Sequence, residues 1–352
     1  MAYVTPPVVT FPEHTVTTPE ILADMHRSNP GHPMLERIPA LAKTLGVEQR
    51  QFVSPLDVVA RTGTVDERNT VAAEAMLALA EQAARDALDR SGLTAGDIDW
   101  IITSHTTTPL TPGLDVHLIN KIDFKPTIKR IPVTQLGCVG GAHALTLAND
   151  LVDATPGTRV LIVVGEALST VYQRSDTTTA GFLYRLLFGD SAAACIVSSD
   201  PEGACLNMQA AWQYTVPGTM KHYALHTRAE GMFFTSHSNS SGGAAHVMGP
   251  LAQWLRDYDP DWAPEVVIAH AGGPKPLELM AKGLGCPPGL LSHSWDSLRL
   301  RGNLGGASVL DVLARTHEDA PRNGSPTLLL GIGPGLTGAA IRGESISDNS
   351  TE

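Results

Sequence analysis

Cysteine is scarce. Four occur in 352 residues, Cys138, Cys195, Cys205 and Cys286, and no two stand at CxxC spacing. That excludes a zinc finger or ribbon and a disulfide framework. Scattered, reduced thiols suit a cytoplasmic protein. Long apolar runs are missing too. The longest, such as Val160–Val164, fall far short of the ~20 residues that span a bilayer. The opening MAYVTPPVVTFPEHT lacks a basic segment followed by an apolar one, so no signal peptide is expected. The sequons at Asn239, Asn323 and Asn349 therefore carry little weight. Basic residues are outnumbered, 25 Lys and Arg against 36 Asp and Glu, for a net charge of −11. So acidic a chain is a poor binder of nucleic-acid phosphates, although a local basic patch around a small anion stays open. Walker A, HExxH and GxSxG motifs are absent. The run Gly331-Ile332-Gly333-Pro334-Gly335 looks like a dinucleotide loop, but Leu336 stands where the third glycine belongs. Too little chain follows it for a βαβ unit. Neither metal nor nicotinamide chemistry is expected.

What is present is a globular composition, 43% hydrophobic and 17% charged. It can bury a large core, in one large domain or two fused ones. The first 20 residues, rich in Pro and Thr, read as loop and edge strand. The Ala-rich stretch Glu67–Arg90 has helical apolar spacing and stops at Gly92. Asp99–Ser104 reads as a strand. From Ile131 the chain is extended to Gly137, and after Cys138 the spacing turns helical. Arg159–Val164 and Ser191–Ser199 read as buried strands. In the second half Val266–Ala269 is a strand ending at His270, Pro276–Gly283 a helix, and Thr327–Gly331 and Thr337–Arg342 strands. Strands and helices alternate in both parts, which predicts an α/β layered fold. The expected junction lies near Gln213–Gly218. It divides the chain into 1–215, carrying Cys138, and 216–352, carrying His270 and Asn303.

Three residues stand out chemically. Cys138 sits where a strand hands over to a helix, and helix N-termini favour the nucleophilic thiolate. Most cysteines, however, are small buried hydrophobes. His270 ends an apolar strand before AGGP, the place where open α/β sheets put their sites. With 13 histidines in the chain, a core or surface role is the ordinary reading of any one of them. Asn303 precedes a helical run and is either an N-cap or an amide donor to a substrate oxygen.

Five motifs occur in order: GCVGG at 137–141, LFGDSAAA at 187–194, HAGGP at 270–274, GNLGGAS at 302–308 and GIGPG at 331–335. Together they resemble the type III polyketide synthases, the chalcone synthase-like branch of the thiolase superfamily, from roughly Arg50 to Gly343. The related ketoacyl-carrier-protein synthase III enzymes share the Cys, His and Asn, but HAGGP and GIGPG follow the type III pattern. EALSTVYQRSD at 166–176 is similar to actinobacterial members. The resemblance implies a thiolase-like fold, two pseudo-symmetric βαβαβαββ halves in a five-layered αβαβα core, and a homodimer. It implies Cys138 as nucleophile with His270 and Asn303 beside it, and Phe188 and Phe234 between a CoA tunnel and the cavity. It implies cavity roles for Thr106, Thr111, Leu168 and Gly305. Thr111 stands where a Met often reaches into the neighbouring subunit, and Thr106 where some members carry a second cysteine. Ile332 replaces the usual Phe of the loop. Of the basic contacts to CoA, Arg50 and Lys275 are the candidates, and Lys275 could equally face solvent.

The implied reaction is iterative decarboxylative Claisen condensation. A starter acyl group is held on Cys138, malonyl-CoA loses CO2, and the enolate attacks the thioester. A small aromatic or pyrone product follows. CoA thioesters are the substrates, and no cofactor, nucleic acid or membrane is implied. A second reading is a ketoacyl-synthase-III-like acyltransferase that moves an acyl group from CoA or a carrier protein without decarboxylation. A third is a silent scaffold on the same fold. The acidic charge disfavours an acidic carrier protein in general.

Overall fold

A computed structural model describes residues 1–61, 63–237 and 240–347; the sequons at Asn239 and Asn349 lie outside them. The strands are β1 (Ala2–Val4), β2 (Val8–Thr10), β3 (His14–Thr17), β4 (Gln49–Phe52), β5 (Trp100–His105), β6 (Lys129–Thr134), β7 (Val160–Glu166), β8 (Ser191–Ser198), β9 (Leu206–Thr215), β10 (Tyr223–Arg228), β11 (Gly231–Ser236), β12 (Val266–Ala269), β13 (Pro326–Gly333) and β14 (Thr337–Ser345). The helices are α1 (Thr18–Ser28), α2 (Ile38–Leu45), α3 (Leu56–Val59), α4 (Val65–Arg90), α5 (Leu114–Lys121), α6 (Gly140–Ala154), α7 (Thr179–Leu187), α8 (Ala244–Tyr258), α9 (Pro274–Leu284), α10 (Ser292–Arg301) and α11 (Ser308–Glu318).

Ten strands form one hydrogen-bonded sheet in the order β12-β13-β14-β9-β1-β8-β7-β5-β6, with β2 added on β8. The outermost pairs, β12/β13, β5/β6 and β5/β7, are parallel. The inner pairs between them are antiparallel. β1 is therefore central, where the sequence predicts an edge. Ala2 and Val4 are wholly buried, and small apolar side chains let it seat between β8 and β9. The expected junction at Gln213–Gly218 begins inside β9, whose Gln213, Tyr214 and Thr215 pair with β14.

The sheet folds around a central pair of helices. α6 packs on β5, β7 and β9 and on β13 and β14, and it meets α11. α4 covers β7 and β8 from outside, while α8 covers β9 and packs on α9. The result is helix, sheet, helix, sheet, helix. Apolar residues line both faces of β7, as expected of a strand buried on both sides. Leu145 on α6 and Leu310 on α11 are completely buried, each worth about 1.5–3 kcal/mol. α4 starts two residues earlier than its apolar spacing predicts. A capping box explains this: the Glu67 N–H donates to Thr64 Oγ1 at 3.3 Å, and the Thr64 N–H donates to Glu67 Oε2 at 2.8 Å. No helix of the described residues is long and apolar enough to cross a membrane.

Candidate active site

The turn between β6 and α6 carries Cys138. Gly137 adopts φ 57°, and a Cβ there would lie 2.8 Å from Pro334 Cδ. Only glycine meets both demands. Pro334 belongs to GIGPG, so that loop braces the Cys138 turn. A Cβ on Gly333 would likewise stand 2.7 Å from the Val139 nitrogen. On the other side, a Cβ on Gly141 of α6 would meet the Gly306 carbonyl oxygen at 2.3 Å. The glycines of three separate motifs thus let three backbone segments close on one another.

This closure brings the three expected residues together. His270 follows β12 and is held by the bond from its N–H to the Leu330 carbonyl of β13. Its Nε2 lies 3.2 Å from Asn303 Oδ1. That oxygen also accepts the Gly305 N–H at 2.9 Å. Asn303 Nδ2 lies 3.4 Å from the Gly272 carbonyl oxygen and 3.8 Å from Cys138 Sγ, and Oδ1 is 3.9 Å from the same sulfur. His270 and Asn303 are buried, and Cys138 is half-buried. All three line one cavity of about 550 Å³.

The charge state differs from the sequence expectation. Burial pushes the Cys138 thiol up to about 12; the Glu166 carboxyl adds to the rise and the Asn303 contact opposes it. Burial pulls His270 down to about 4, against the Asn303 contact. Burial thus favours the neutral thiol and the neutral imidazole over their charged forms. Desolvation outweighs the helix end here.

Phe188 and Phe234 line the same cavity. Their ring centroids are 5.3 Å apart with planes at 88°. Phe188 forms a β-bridge with Asn303, and the Asn303 N–H donates to the Leu187 carbonyl at 2.8 Å. Ile332 lines the cavity beside Pro334. Tyr184 and Tyr223 also line it; no sequence motif singled them out.

The other expected residues are placed elsewhere. Thr106, Leu168 and Gly305 gather with Glu166 behind the Cys138 turn. Thr106 Oγ1 accepts the Gly137 N–H at 2.7 Å, and the Thr106 N–H donates to Glu166 Oε2 at 3.3 Å. A Cβ on Gly305 would meet Glu166 Cγ at 3.1 Å and Leu168 Cδ1 at 3.2 Å. Glu166 is buried and its Oε1 has no partner. Burial raises it to about 7 against bonds from Thr107 and Thr106. Thr111 is exposed, away from its own chain's cavity. Lys275 is exposed on the first turn of α9, 3.6 Å from Glu278 and between the cavity-lining Pro274 and Pro276.

Arg50 is a correction. It is fully buried, and its guanidinium donates to the carbonyls of Val16 and Leu186. It ties β3 and α7 together and cannot present a charge to a CoA phosphate. Among the described residues no cluster of His, Cys, Asp and Glu could hold a metal ion.

Residues 54–201 match the family described as chalcone and stilbene synthases, N-terminal domain. The chain is 30% identical over 342 residues to phloroglucinol synthase of Pseudomonas fluorescens, covering 96% of this chain and 97% of that one. It is 32% identical over 343 residues to 1,3,6,8-tetrahydroxynaphthalene synthase of Streptomyces coelicolor, covering 96% and 90%. Its structure resembles that of germicidin synthase from Streptomyces coelicolor, a type III polyketide synthase, with TM-score 0.95 and 37% identity over 98% of this chain and 99% of that one. The layered sheets and helices are thus a thiolase-like fold, and the chain belongs to the chalcone and stilbene synthase family as a type III polyketide synthase, an enzyme of the acyltransferase class.

Proposed function

We propose that Cys138 is the nucleophile of an iterative decarboxylative condensation, with His270 and Asn303 as its partners. The observation that carries this is Asn303. One amide meets His270 through its oxygen and lies beside Cys138 Sγ, its nitrogen at 3.8 Å, at the floor of a cavity. In the reaction the thiol attacks the starter thioester. Its proton passes to the imidazole as the new thioester bond forms and CoA leaves. Malonyl-CoA then places its thioester oxygen near the Asn303 N–H and an N–H of His270. Loss of CO2 puts negative charge on that oxygen, where one such donor is worth about 2.7–4 kcal/mol. The enolate carbon attacks the acyl-Cys138 carbonyl, and the thiolate leaves. Repetition lengthens the chain on the next acylation of Cys138.

An enolate needs a dry site. Phe188 and Phe234 would keep water from it. Lys275, at the mouth, is the candidate for the CoA phosphates. The substrates are malonyl-CoA and an acyl-CoA starter, with no further cofactor. The working unit is a homodimer in the cytoplasm, in which exposed Thr111 would reach the neighbouring subunit. The product is a small aromatic or pyrone.

Intact-protein mass spectrometry with malonyl-CoA and acyl-CoAs tests the reading. An acyl adduct on Cys138, CO2 release and a cyclic product are expected, and Cys138→Ala should lose condensation while it can still decarboxylate malonyl-CoA. An adduct without CO2 release would establish the non-decarboxylating acyltransferase instead. Elongation by Cys138→Ala at the wild-type rate would overturn the nucleophile.

A further inference from the structure

We propose that Tyr184 limits the length of the acyl chain that Cys138 accepts; this rests on the reading of Cys138 as the acylated thiol. Tyr184 lies on α7 and lines the cavity with Cys138. Its ring stacks on Phe188 at 5.0 Å and 13°, and meets Phe234 edge-on at 4.6 Å and 79°. The two phenylalanines touch each other as well, so the three rings form a closed triangle. Ser236, two residues beyond Phe234, lines the same cavity. The ring is packed against both phenylalanines and is 7% exposed. Cys138 and Tyr184 line the same cavity. An acyl group on Sγ that extends into this cavity would pass the ring.

The other two members of the triangle have little freedom. Phe188 is bridged to Asn303 through the backbone, and Phe234 is paired with Leu225 across the β10–β11 hairpin. Tyr184 has no bond to Cys138, His270 or Asn303. Its neighbours on the same cavity wall, Ala180, Leu183 and Leu187, are aliphatic. Truncating Tyr184 would join the volume of its ring to an apolar space that suits methylenes. Each methylene newly buried there should raise kcat/KM about four-fold.

The test compares Cys138 loading from hexanoyl-CoA and dodecanoyl-CoA, followed by mass spectrometry, in wild type, Tyr184→Ala, Tyr184→Leu and Tyr184→Phe. The dodecanoyl-to-hexanoyl ratio should rise about tenfold or more in Tyr184→Ala. It should stay within about threefold in Tyr184→Phe, which keeps the ring. Tyr184→Leu keeps an apolar side chain on the helix and should fall between them; it decides the matter if the alanine variant does not fold. An unmoved ratio in the smaller variants, or an equal shift in Tyr184→Phe, overturns the proposal alone. Failure of the wild type to acylate Cys138 from any thioester overturns it together with the reading on which it rests.

Discussion

The Gly305 N–H donates to Asn303 Oδ1 at 2.9 Å, and this bond fixes which end of the amide is the oxygen. An N–H can only meet the oxygen, so the other end is the Nδ2 donor, 3.8 Å from Cys138 Sγ while Oδ1 is 3.9 Å from it. Asn303→Asp keeps the acceptor for Gly305 and removes the donor. Its malonyl decarboxylation should fall about 10²–10³-fold, while starter loading falls less. Steady-state CO2 release set against single-turnover acylation measures the difference. Equal losses in both steps would mean a general defect in the site.

Gly272 supports the imidazole by having no side chain. A Cβ there would stand 2.6 Å from His270 Cε1. Gly272→Ala should displace the ring and lower both loading and decarboxylation about 100-fold. The melting temperature should move little, since His270 is fixed by β13 on its backbone side. Retained activity would show that the ring can shift without cost.

The neutral thiol–imidazole pair has a kinetic signature. With the Cys138 thiol pushed up to about 12, its alkylation by iodoacetamide should rise about tenfold per pH unit from pH 6 to 9. Peptide mapping separates it from half-buried Cys286. A plateau above pH 6 would reveal a preformed thiolate–imidazolium pair.

Glu166 makes stability depend on pH. Its folded value of about 7 lies above the ordinary 4.5. Between those values the native state holds more protons than the unfolded one. Stability from this group is therefore greatest below pH 4.5 and is lost as pH rises through 7. The shift corresponds to about 3 kcal/mol. Glu166→Gln should flatten that slope, raising the melting temperature at pH 8 and not at pH 4.5. Because the carboxyl also raises the Cys138 thiol, the same variant should alkylate faster at pH 8. A parallel shift at both pH values would assign Glu166 a packing role instead.

The α/β alternation and the positions of Cys138, His270 and Asn303 were legible because each lies beside glycines at an element's end. β7 and β12 were legible as short apolar runs. β1 was not, because three residues carry no periodicity and pairing on both sides is a tertiary fact. Arg50 was misread because residue type signals charge, while burial depends on which carbonyls happen to stand nearby. Tyr184 and Glu166 lie in a helix and a strand whose local pattern is ordinary. Their place beside the thiol follows from the packing of α7 and β7.

Where α6 meets the turn before α11, glycine faces glycine, and a Cβ on Gly141 would stand 2.3 Å from the Gly306 oxygen. Contact this close leaves no slack for a hinge between the segment that carries Cys138 and the one that carries Asn303. The entropy of assembling the reactive groups is therefore spent during folding, before any thioester arrives.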